Sequence, residues 1–113
     1  MSLGEWGENA ATRFLVKNGY KILEKNFRCR IGEIDIIAMD KEVLVFIEVK
    51  TRRNLSYGLP SESITATKLH HIRRTINYYS LIRNLHCTDM RIDVIEILVA
   101  NGRAYIHQIK NVE

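Results

Sequence analysis

The 113 residues suit one domain, over residues 1–113, that buries a core without disulfide or metal staples. Hydrophobic residues at 46% and charged residues at 27% fit a globular chain and exclude a disordered or collagen-like one. Lysine and arginine outnumber the acids by 17 to 13, a surplus of +4 that suits a polyanionic partner without identifying one.

The stretch from about Leu3 to Asn18 reads as a helix, with Trp6, Ala10, Phe14 and Leu15 at helical spacing and Asn18-Gly19 closing it. Glu8 lies off the strict apolar line. Tyr20 to Arg28 is β-like, and Glu33 to Asp40 is a second, isoleucine-rich strand. Glu42 to Thr51 is a third strand, whose continuous run Val43-Leu44-Val45-Phe46-Ile47 suits coverage on both faces. The short polar joint Met39-Asp40-Lys41-Glu42 predicts a hairpin, and Asn54 to Pro60 reads as a loop. A long helix follows from about Thr65, a candidate N-cap, to Asn84. Leu69, Ile72, Ile76 and Tyr79 form its apolar stripe. Met90 to Val99 and Ala104 to Ile109 are strands joined by a tight Asn101-Gly102 turn. The order α-β-β-β-α-β-β predicts an α/β fold, a mixed sheet flanked by helices.

Cys29 and Cys87 form no C-x-x-C pair and read as reduced thiols. No apolar run approaches the roughly 18 residues of a membrane span. Met1 to Trp6 lacks the charged-then-apolar order of a signal peptide. The expectation is a cytoplasmic protein with no membrane partner.

Three charged residues interrupt apolar strands: Asp35 in Ile34-Asp35-Ile36-Ile37, and Glu48 and Lys50 in Phe46-Ile47-Glu48-Val49-Lys50. Strand residues two apart share a face, so Glu48 and Lys50 project together. If the second and third strands pair as a hairpin, Asp35 meets Glu48 given a register shift or a local bend. Charges gathered in a covered sheet are costly unless paired or metal-bound. Two carboxylates can hold Mg²⁺ or Mn²⁺, a metal lowers the pKa of bound water, and a lysine beside them orients that water. The backbone carbonyl of Val49 adds one oxygen ligand. Taken alone, Glu-x-Lys is equally an edge-strand ion pair.

These residues stand in a longer pattern: Gly4-Glu5-Trp6-Gly7-Glu8-Asn9-Ala10-Ala11, Gly19-Tyr20-Lys21-Ile22-Leu23, Asn26-Phe27-Arg28, and Gly32-Glu33-Ile34-Asp35-Ile36-Ile37-Ala38. Val45-Phe46-Ile47-Glu48-Val49-Lys50-Thr51-Arg52, Tyr57-Gly58, Pro60-Ser61-Glu62-Ser63-Ile64, Lys68 and Arg91-Ile92-Asp93-Val94-Ile95 continue it. The pattern resembles the YraN-like family of uncharacterised bacterial proteins, placed among the PD-(D/E)xK nucleases near archaeal Holliday junction resolvases. The resemblance covers nearly the whole chain. It implies a restriction-endonuclease-like core and a Mg²⁺- or Mn²⁺-dependent endonuclease acting on DNA, branched or otherwise non-regular. It implies Asp35 and Glu48 as metal-binding acids, Lys50 as the motif lysine, and Glu8 as an acid reaching the metal, often through water. Lys68 falls where related enzymes place a polar residue from the following helix. The motif proline is absent, Ile34 standing before Asp35. By analogy with resolvases, which cut a four-way junction symmetrically, a homodimer is expected. A need for a partner protein stays open.

Arg28, Arg30, Arg52 and Arg53 flank the centre in sequence, where they suit phosphates, or form a solvated basic rim. Arg73, Arg74 and Arg83 read as a solvated helix face. His70 and His71 are adjacent on a helix and point apart, poor geometry for one metal. Glu33 shares a strand face with Asp35, where it suits the metal or a group supporting it, and Asp93 suits either a cap on the sheet edge or a pairing with an arginine. Two rival readings remain: a non-catalytic nucleic-acid-binding module, and an interaction domain whose carboxylates only stabilise the fold.

Overall fold

The computed structural model describes residues 1–53, 65–85 and 89–112. The expected loop at 54–60, Tyr57 and Cys87 lie outside the described residues. Helix α1 spans Leu3–Lys17, and the Ser2 hydroxyl caps it by accepting the Glu5 N–H at 3.1 Å. Strands β1 (Lys21–Arg28), β2 (Glu33–Asp40) and β3 (Val43–Arg52) form an antiparallel meander. Helix α2 (Ala66–Ile82) starts at Thr65, whose hydroxyl accepts the Lys68 N–H at 3.1 Å. It leads to β4 (Met90–Ala100), which pairs parallel with β3, and β5 (Arg103–Ile109) pairs antiparallel with β4. The sheet order is β1-β2-β3-β4-β5, so the expected mixed sheet and element order are those of the molecule. Asn101 and Gly102 both take positive φ, 52° and 71°, as the tight β4–β5 turn requires.

Each sheet face carries one helix. Ala10, Ala11 and Leu15 of α1 pack on Val45, Ile47, Ile95 and Ile97. Ile72, Ile76 and Tyr79 of α2 pack on Leu44, Phe46 and Ile92. Leu44 to Ile47 are at most 2% exposed, as a strand covered on both faces must be. Gly7 brings α1 directly against β3, because Thr51 occupies the space that a Cβ on Gly7 would need. A glycine inside a helix costs about 1 kcal/mol against alanine, and here close packing is what it gains.

A polar network ties β4 and β5 to the start of β1. Buried Asp93 accepts Arg91 Nε at 3.0 Å, Gln108 Nε2 at 2.8 Å and the Asn111 N–H at 2.9 Å. Arg91 also reaches Asp40 at 3.1 Å and the Tyr20 hydroxyl at 2.6 Å. The arginine partner expected for Asp93 is therefore Arg91, and every oxygen of the buried carboxylate is satisfied.

Candidate active site

Antiparallel pairing of β2 with β3 ends at Ile36 and Ile47. Beyond that point Ile34 and Ile36 join different core clusters, although residues two apart on a regular strand share a face. The strand is thus rotated at Asp35, which supplies the local bend that bringing Asp35 toward Glu48 requires. The Asp35 carboxylate replaces the lost ladder: its Oδ2 accepts the Val49 N–H at 2.8 Å. The amides of β3 alternate between neighbours. Leu44 donates to Asp89 on the β4 side, so the odd-numbered residues face β2. The Val49 carbonyl lies on the same strand edge as its N–H, toward Asp35.

Glu48 and Lys50 project to the α2 face, where Leu44 and Phe46 also lie. Glu48 is 9% exposed and two ammonium groups share its Oε1. Lys68 Nζ stands 2.8 Å away and Lys50 Nζ 3.5 Å away. The two lysines respond in opposite directions. Burial, and then the nearby Lys68, lower the pKa of Lys50. Burial is the largest single influence on the Lys68 ammonium too and acts against it, but the hydrogen bond and charge of Glu48, with smaller contributions from Lys50 and Asp35, together outweigh it and raise its pKa. Lys68 therefore holds the tighter ion pair, and Lys50 is the more readily deprotonated amine.

Burial, followed by the charge of Glu48, raises Asp35 from its ordinary 3.8 to about 7. Glu8 and Glu33 add smaller repulsions, while the Val49 N–H works the other way. Glu8 also has a raised pKa, chiefly from burial, with Lys25 opposing it. Among the described residues, no three of His, Cys, Asp and Glu stand close enough to enclose a metal by themselves. The donor set nevertheless fits a Mg²⁺-like ion, which keeps several waters and takes one or two carboxylates plus a substrate phosphate. Asp35 and Glu48 are two such carboxylates, forced together against their own repulsion. Glu8 Oε1 is buried with no hydrogen-bond partner, which suits a carboxylate reaching the centre through water.

A cleft of about 390 Å³ opens beside Glu48, lined by Gly32, Glu33, Thr65, Thr67, Lys68, His71, Ile72 and Thr75. Gly32 keeps the cleft wall tight, since a Cβ there would stand 2.9 Å from Thr75 Oγ1. Lys68 and His71 lie one turn apart on α2 and enter the cleft together, whereas His70 does not line it. His71 is a candidate that the sequence reading passed over; its i+3 spacing from Lys68 was the available signal. Arg28 is exposed and pairs with Glu33 at 3.3 Å. Arg30 is exposed beside Tyr78 in a separate hollow. Arg52 follows Glu48 and Lys50 on the α2 face, its Nε buried without a partner. Arg53, one residue on, lines a different groove with Trp6 and Arg103. The structure thus gathers Asp35, Glu48, Lys50 and Lys68, keeps Glu8 at their border, and spreads the four arginines around the molecule. Arg74 is exposed and Arg83 bonds Glu24 at 2.8 Å. No described helix is long and apolar enough to cross a membrane.

Comparison with known proteins identifies the family. Residues 7–97 match the model of the "Uncharacterised protein family UPF0102". A UPF0102 protein of Caldicellulosiruptor saccharolyticus is 47% identical over 111 residues, covering 96% of this chain and 94% of the relative. One from Caldicellulosiruptor bescii is 49% identical over 100 residues, covering 86% and 82%. One from Clostridium novyi is 48% identical over 97 residues, covering 86% and 81%. Glu8, Asp35, Glu48, Lys50 and Lys68 of this chain all fall within residues 7–97, and the chain belongs to the UPF0102, or YraN-like, family.

Proposed function

We propose that the chain is a divalent-metal-dependent DNA endonuclease that hydrolyses phosphodiester bonds, with a preference for branched DNA. The observation that carries this reading is the meeting of Asp35 and Glu48, held together despite repulsion, with Lys50 and Lys68 both on Glu48 and an open cleft beside Glu48 and Lys68. A purely structural ion pair does not call for a second carboxyl of raised pKa beside it. Asp35, Glu48 and the Val49 carbonyl would hold Mg²⁺ or Mn²⁺, with Glu8 joining through water. The ion would lower the pKa of a bound water and offset charge at phosphorus.

The remaining work falls to this chain's own side chains. Lys50 hydrogen-bonds and orients the attacking water, and its lowered pKa lets it exchange a proton with that water. Lys68, held on α2 above Glu48, meets a phosphate oxygen where negative charge develops. His71 and Thr67 border the same cleft and suit the neighbouring phosphate. Contacts of this kind address the backbone and its shape rather than base edges, which favours structure over sequence as the determinant of cleavage. Two symmetric cuts at a junction call for two copies, so a homodimer acting on DNA is part of the proposal.

The test is cleavage of labelled four-way junction, flap, single-stranded and linear duplex DNA with Mg²⁺, with Mn²⁺ and with chelator. Metal-dependent cleavage is expected for the wild type and lost in Asp35→Ala and Lys50→Ala, with DNA binding retained in the latter. Binding without cleavage under every condition would instead favour a non-catalytic nucleic-acid-binding module. Equal cleavage by Lys50→Ala would remove that residue from the mechanism.

A further inference from the structure

Gly7 presses α1 onto β3, and the residues beside it diverge. Glu8 turns toward Lys25 and Asn26 of β1, on the side of the candidate active site. Trp6 lies on the other flank, because positions two apart on a helix are about 200° apart around its axis. There Trp6 borders a groove of about 380 Å³, closed by Arg53 at the end of β3 and by Val99, Gly102 and Arg103 around the β4–β5 turn.

The groove has the volume of a small-ligand site and an uneven charge. Among the described residues its lining includes two arginines and no acid. Arg53 and Arg103 are exposed, and neither forms an ion pair among the described residues. Two exposed guanidinium groups beside an indole and an apolar floor match the components of an unpaired nucleotide. The guanidinium groups address its phosphates, and the indole stacks on its base. The groove lies on the α1 side of the sheet, opposite the face to which Glu48 and Lys50 project, so it is a site apart from the candidate active site.

We infer that the Trp6 groove is a second nucleic-acid subsite, which takes an unpaired nucleotide with its base against Trp6 and its phosphates on Arg53 and Arg103. This site holds a strand that has left the duplex, whether or not the bond near Asp35 is cut. It gives the protein a means to recognise a branch or a frayed end rather than a regular helix.

Trp6 is the sole tryptophan, so its emission reports the groove directly. The measurement is fluorescence titration of the full chain with a short oligothymidylate in the presence of chelator, where no cleavage intervenes. Saturable quenching is expected, weakened about tenfold or more in Arg53→Ala/Arg103→Ala and nearly as much in Arg103→Glu. Both arginines are exposed, so the variants should keep the wild-type melting temperature. An abasic strand of equal length and charge should leave the emission nearly unchanged. Emission unmoved by saturating oligonucleotide would overturn the proposal. So would quenching that survives in both variants, or equal quenching by the abasic strand or an oligoglutamate peptide. Loss of cleavage in the nuclease assay with quenching intact would count against the catalytic reading alone.

Discussion

Asp35 offers the sharpest test of the electrostatics. In the folded chain its carboxyl holds a proton up to about pH 7, whereas in the unfolded chain it releases that proton near 3.8. Between these values the unfolded state binds fewer protons, so stability falls as pH rises and levels off above pH 7. The gap corresponds to about 4 kcal/mol at 1.36 kcal/mol per unit, an upper figure because the carboxyl shares its field with Glu48. Asp35→Asn removes the charge while keeping an oxygen for the Val49 N–H. The variant should therefore be more stable than wild type at pH 8, by roughly 2–4 kcal/mol, or about 10–20 °C in Tm. The difference should shrink steadily toward pH 4. Thermal melts at matched pH check this, and the difference between the two proteins isolates Asp35 from other titrating groups. Added Mg²⁺ should raise the melting temperature of the wild type at pH 8 and do little for the variant. An Asp35→Asn protein that melts below wild type at pH 8, with no metal response in either, would refute the reasoning and restore a purely structural role.

Other substitutions probe the supporting structure. Lys68→Met frees Glu48 Oε1 from its nearest cation, so Mn²⁺ affinity measured by calorimetry should rise on the order of tenfold while cleavage falls. Unchanged affinity would show that Lys68 and the metal do not compete. Gly7→Ala should lose about 1–3 kcal/mol in urea unfolding, because Thr51 leaves no room for the methyl group. Asp93→Ala takes the buried acceptor from Arg91 Nε, Gln108 Nε2 and the Asn111 N–H, and should cost about 3–5 kcal/mol by the same measurement, with no direct effect on metal binding.

Much of this molecule can be read from periodicity. The β2 range is Glu33 to Asp40 in both sequence and structure, and the apolar run in β3 announces its double coverage. The stripe Ile72, Ile76 and Tyr79 identifies the buried side of α2, and Thr65 marks its start. Glu48 and Lys50 share a face by strand alternation alone. The position of Asp35 is harder to anticipate, because strict alternation does not reveal the rotation between Ile34 and Ile36. Neighbours in sequence also misled: Arg52 and Arg53 look like one basic patch, yet successive strand residues point to opposite faces. The adjacency of His70 and His71 argues against a shared metal but does not reveal the place of His71 in the cleft. Its contribution to the cleft depends on the docking of α2, a tertiary fact that local spacing does not contain.

The parallel pairing of β3 with β4 has a consequence for the order in which the protein is made. Every side chain proposed for the chemistry, from Glu8 to His71, leaves the ribosome before β4 does. Yet Glu48 and Lys50, which lie beyond the end of the β2–β3 ladder, acquire a paired strand only when Val94 and Glu96 arrive. The meander β1–β3 forms from local contacts, while the β3–β4 ladder must close a loop of more than forty residues, from Leu44↔Met90 to Arg52↔Leu98. A nascent chain therefore carries all its reactive groups without the scaffold that holds them in register. Nuclease activity, on this reading, is a property that the growing polypeptide acquires late and all at once.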